Sequence, residues 1–104
     1  MTQEQIAALL TEVLPDAEVV HVENCITISV TVKSQGWGGT RSQHLRVYFN
    51  PDGSPCPVDH SVNGISGQVG ADDLEAEALL LSKYASALRR VDAVLATIDT
   101  IEVG

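Results

Sequence analysis

The chain has 104 residues, 44% of them hydrophobic, which is enough for a single domain with one core. Its two cysteines, Cys25 and Cys56, are too sparse for a disulfide scaffold, and no segment approaches the roughly 18 consecutive apolar residues of a membrane span. A net charge of −8 opposes approach to phosphates, so nucleic acid is not the expected partner.

The first residues lack the basic start and apolar run of a signal peptide, so the expected location is cytoplasmic. Charge is unevenly spread. Residues 1–23 carry five acids and no base, and residues 24–51 carry Lys33, Arg41 and Arg46 and no acid. Residues 52–104 carry nine acids and three bases. Strands favour Thr, Val and Ile over Asp and Glu, which is the ordinary explanation of the acid-free stretch. A face reserved for a partner is the other.

Thr2 followed by Gln5 fits a capping box, and Ile6, Leu9, Leu10 and Val13 recur at helical spacing. Pro15 ends this helix, because the residue before proline avoids helical geometry. Two strands follow, Glu18 to Val22 and Cys25 to Val32, around a turn at Glu23-Asn24. In the second, Ile26, Ile28, Val30 and Val32 alternate with Thr27, Ser29 and Thr31, the pattern of one buried and one wet face.

A glycine-rich loop, Ser34 to Arg41, leads to a third strand over Gln43 to Asn50. Its Leu45, Val47 and Phe49 point inward, and its His44, Arg46 and Tyr48 outward. Asn50-Pro51-Asp52-Gly53 is a turn sequence, after which Pro55 to Val62 is expected to return as a short edge strand. Residues 63–70 read as a connector.

Asp72-Asp73 open a long helix reaching about Ile98 or Ile101, its acids expected in solvent at the positive helix end. Leu74, Leu81, Leu88 and Leu95 recur every seven residues, with Ala78 and Ala85 on the same side. Glu77, Tyr84, Val91 and Ile98 follow three residues after each, Leu80, Ala87 and Val94 widen the stripe, and we expect it to cover the sheet through Leu81, Leu88 and Leu95. A leucine seam that makes a homodimer through this helix is the alternative. The fold class is therefore α+β: one domain over residues 1–104, with an N-terminal helix, a three- to four-stranded antiparallel meander and a long C-terminal helix on one sheet face. Double-stranded RNA-binding domains share the order helix, three strands, helix. The likeness ends there, because their second helix starts basic and this one starts with Asp72, Asp73, Glu75 and Glu77.

Candidate chemistry is thin. His21-x-x-x-Cys25 and Cys56-x-x-x-His60 suggest a zinc set, but a two-residue turn would aim His21 and Cys25 at opposite sheet faces. Asp59-His60-Ser61 is consecutive and so does not converge as a hydrolase triad. Cys56 with His60 lacks an oxyanion hole or pocket in the sequence around it. Gly36-Trp37-Gly38-Gly39 is followed by no Lys-Ser and no helix start, so it is not a phosphate loop. The lone tryptophan either folds back over the sheet edge or stands out as a contact anchor.

No catalytic residue, metal ligand or cofactor is expected. Tryptophan, tyrosine and arginine dominate interface hot spots, so Trp37, Arg41, His44, Arg46 and Tyr48 are the expected binding residues. They suit a small non-enzymatic module that regulates or inhibits another protein by binding it, of the kind phages carry as accessory proteins. An acidic decoy that mimics nucleic acid, or a weak nucleic-acid binder through the acid-free sheet face, are the alternatives.

Overall fold

The computed structural model describes residues 1–36, 39–56 and 70–98. The elements are α1 (Gln3–Val13), β1 (Glu18–Val22), β2 (Cys25–Lys33), β3 (Thr40–Tyr48) and α2 (Ala71–Ala96). The three strands form one antiparallel sheet in the order β1-β2-β3. Both helices pack on the same face of it, α1 over β1 and α2 over β2 and β3. This is the expected α+β architecture.

The capping box is present at α1. Thr2 Oγ1 accepts from the Gln5 N–H at 3.1 Å, and Gln5 Oε1 accepts from the Thr2 N–H at 2.8 Å. Two N–H groups that the helix itself leaves without partners are thereby satisfied. Ile6 and Leu10 are fully buried, Leu14 caps the C-terminal end, and Pro15 follows.

In the sheet, Val22 pairs with Cys25 across the two-residue turn Glu23-Asn24, and Glu23 takes a left-handed backbone with φ 54°. Alternation then fixes both faces. Ile26 pairs with Val47 and Ile28 with Leu45, all four fully buried against the helices. The Asn50-Pro51-Asp52-Gly53 turn forms as its sequence demands, the Gly53 N–H donating to the Asn50 carbonyl at 2.8 Å. Beyond it a single bridge joins Phe49 to Pro55 at the start of the expected fourth strand. The rest of that segment, residues 57–62, lies outside the described residues, as does most of the 63–70 connector.

One expectation about α2 is corrected. The helix covers the sheet through Ala76, Leu80, Tyr84, Ala87 and Val91, and not chiefly through the heptad leucines. Leu74 and Leu81 are 55% and 40% exposed, whereas Leu88 and Leu95 are half-buried against the core. Geometry explains the gradient. A straight helix turns 3.6 residues per revolution, so a row repeating every seven residues drifts by about 20° per heptad. The leucine row starts in solvent at Leu74 and drifts toward the sheet by Leu88. Leu80, Tyr84, Ala87 and Val91, spaced four, three and four, keep to one face. Asp73 is the second correction: it is fully buried, not solvated.

Candidate functional site

One face of the sheet carries the core. Among the described residues no helix or strand covers the other, whose residues follow from the register. Successive rows read Val22–Cys25–Tyr48, Val20–Thr27–Arg46, Glu18–Ser29–His44, Thr31–Ser42 and Lys33–Thr40. The face is graded. At the turn end, Val20, Val22 and Tyr48 are 42%, 60% and 44% exposed. Toward the glycine-rich loop it becomes hydroxyl-rich, with Thr31 Oγ1 and Ser42 Oγ 3.1 Å apart.

The Cys56 N–H donates to the Tyr48 carbonyl, so Cys56 extends the apolar row beyond Tyr48. Cys25 and Cys56 then flank Tyr48 at two strand spacings, about 10 Å. That is beyond disulfide reach, and both are free thiols. Cys56 Sγ lies 3.0 Å from Asn50 Oδ1.

The expected binding residues do not all gather here. His44, Arg46 and Tyr48 share the open face as their alternation implies. Arg41 does not join them. It pairs with Val32 on the helix side, where its Nε donates to Glu77 Oε2 of α2 at 2.6 Å. The side chains are 22% and 13% exposed, so this charge-assisted bond fastens β3 to α2. Period-two counting back from Leu45 through Gln43 puts Arg41 on the buried side, and that signal was present in the sequence. Trp37 lies outside the described residues.

The glycine-rich loop is anchored at both described ends. Ser34 Oγ donates to Asp73 Oδ1 at 2.7 Å and accepts from the Gly36 N–H at 3.0 Å. The Ser34 N–H donates to the Gly39 carbonyl at 3.0 Å. Asp73, third residue of α2, also accepts from the Gly70 N–H at 3.1 Å through Oδ2. Gly36 packs so close that a Cβ there would sit 2.7 Å from Asp73 Oδ1. Asp73 thus caps its helix and holds the loop that leads into β3, a role sequence reading missed.

Ser29 Oγ lies 2.8 Å from His44 Nδ1, the distance of a serine and its base. The acid in that row, Glu18, stands beyond Ser29 on β1 and not beside the imidazole, and the pair sits on a flat sheet face. A convergent site needs the acid on the far side of the histidine. His21 lies on the core face, 3.1 Å from Gln3 Oε1 through Nε2, while Cys25 faces the open side. The two point apart, as the register argument requires. Among the described residues no group of three or more His, Cys, Asp or Glu is placed to hold a metal, and His60 lies outside them.

A shallow cleft of about 120 Å³ opens where Leu14–Ala17, just after α1, meets Lys83, Ala87 and Arg90 of α2. It is small beside ordinary ligand pockets of about 300–1,000 Å³. Arg90 is already engaged there, donating to the Val13 carbonyl at 2.8 Å at the C-terminal end of α1. No described helix is long and apolar enough to cross a membrane. No protein-family model, curated protein or solved structure matches this chain.

Proposed function

We propose that this chain is a non-enzymatic module that acts by binding another protein through the open face of its sheet, as a regulator or inhibitor of that protein. The observation behind this reading is the cluster of Val20, Val22 and Tyr48, exposed in adjacent rows beside Arg46 and Cys25. Exposed apolar side chains grouped on a rigid surface mark interaction sites more often than scattered ones do. Tyrosine and arginine supply the anchors that interfaces favour. The sheet supports them from behind with Ile26, Ile28, Leu45 and Val47, so the surface is ordered before a partner arrives.

Neither strand β2 nor β3 carries an acid, while residues 1–23 carry five acids and residues 72–77 carry four. The matching partner surface is apolar at its centre, opposite Val20, Val22 and Tyr48. Nucleic acid is a poorer match, because Arg46 and Lys33, offset on the same face by Glu18, give little phosphate affinity within a chain of net charge −8.

The test is affinity capture with the whole chain alongside Tyr48→Ala and Arg46→Ala, followed by titration of the captured protein. Each substitution should weaken binding by about 2 kcal/mol, the loss expected of an anchor. Binding unchanged by both would contradict the proposal, as would binding that nuclease treatment abolishes.

A further inference from the structure

A second surface is left over on α2, and it is independent of the sheet face. Leu74, Leu79 and Leu81 are 55%, 49% and 40% exposed within eight residues of one helix. The described core does not account for them, since α2 already covers the sheet through Leu80, Tyr84, Ala87 and Val91. Between these leucines, on the side of the helix directly away from the sheet, run Ala71, Glu75, Ala78, Ser82, Ser86 and Arg89, all exposed. Of these, Ala78, Ser82 and Ser86 are small and spaced four residues apart, which lets a second helix approach closely.

The charge along α2 decides what that helix should be. Residues 71–82 carry four acids and no base, and residues 83–96 carry three bases and one acid. Several of these are engaged within the chain, Asp73 with Ser34, Glu77 with Arg41 and Arg90 with Val13. Glu75 and Arg89, both exposed on the outer side, have no ion pair among the described residues. A helix acidic in its first half and basic in its second complements a copy of itself running the other way. It repels a copy running alongside in parallel.

We propose that the chain forms a two-fold homodimer in which the outer faces of two α2 helices pack antiparallel. With the axis beside Ser82, Glu75 of each copy meets Arg89 of the other, Leu79 meets Ala85, and Ala78 meets Ser86. The Glu75–Arg89 layers pair opposite charges, the Leu79–Ala85 layers set a large side chain against a small one, and the Ala78–Ser86 layers bring two small ones together. The open sheet faces lie on the far side of each subunit and stay accessible.

Sedimentation equilibrium from low micromolar to about 1 mM, a range that spans weak interfaces, reads the association. The wild-type chain should dimerise. Glu75→Arg sets like charges against Arg89, and Arg89→Glu does the same against Glu75, so each variant alone should dimerise at least tenfold more weakly. Mixed in equal amounts, the two variants should recover association as a heterodimer, because every cross-pair is then opposite in sign. Circular dichroism melts of both, taken at concentrations where the wild-type chain is monomeric, should match it, since both positions are exposed. A wild-type chain monomeric throughout, single variants that associate as well as wild type, or variants that fail to pair on mixing would each overturn the proposal.

Discussion

Asp73 carries more of the fold than its sequence position advertises. An aspartate in the first turn of a helix is ordinarily a solvated partner of the helix dipole. Here it is fully buried, packed against Gly36 and bonded to Ser34, 39 residues away. Sequence shows the helix start, but the burial depends on how the loop folds across it. Asp73→Ala would leave the Ser34 hydroxyl and the Gly70 N–H short of an acceptor, and should cost about 1–3 kcal/mol in urea unfolding. Gly36→Ala tests the same contact from the other side, since a methyl 2.7 Å from the carboxylate forces the loop to shift. Asp52 is a milder case. The Ser54 hydroxyl, and then the Ser54 N–H, donate to its exposed carboxylate and hold its pKa below the ordinary value. Its charged form therefore supports the turn above the ordinary carboxylate range, and that support is lost as pH falls through the lowered value. The Ser54 amide resonance should titrate with a midpoint below that of a free aspartate, and Asp52→Asn should abolish that titration.

At the scale of elements, α1, β1 and β2 were legible because each announces itself locally, whereas β3 starts at Thr40 and ends at Tyr48 where the sequence suggested Gln43 to Asn50. Thr2 with Gln5, Pro15, the Glu23-Asn24 turn and strict alternation over Ile26 to Val32 are short-range signals with direct geometric consequences. The extent of α2 was legible too, and Leu80, Tyr84, Ala87 and Val91 belonged to the expected stripe, but the centre of its buried side was not legible. A seven-residue leucine row and a 3.6-residue stripe overlap in a helix of 26 residues, and only the position of the sheet selects between them. Neighbouring leucines should separate sharply on truncation. Leu80→Ala, at 2% exposure, should cost about 2–5 kcal/mol, whereas Leu81→Ala, at 40%, should cost under about 1 kcal/mol in chemical denaturation. Arg41 belongs to the same lesson. Read by residue type it joins the contact set with Arg46 and Tyr48, but strand parity puts it against Glu77. Arg41→Ala should lower stability by about 1–2 kcal/mol through that half-buried bond and leave partner affinity at the open face unchanged.

For the whole molecule, the consequence of this topology is a division of labour between two faces of one small sheet. Two helices on one side supply the core, and the three strands hold the other side flat and fixed. Residue chemistry alone grouped His44, Arg46 and Tyr48, and alternation made that grouping visible in the sequence. Val20 and Val22 were invisible as contact residues, because an exposed valine becomes apparent only once β1 is known to be an edge strand whose outward side chains line up with Thr27 and Cys25. The most direct test is site-specific photo-crosslinking in the native cell, with a benzophenone side chain in place of Tyr48, in place of Val22, and at exposed Glu12 on α1 as the reference. Adducts to one and the same foreign protein from positions 48 and 22, with none from position 12, are the predicted result. No protein adduct from the sheet face, or equal adducts from all three positions, would contradict the assignment of that face as the binding surface.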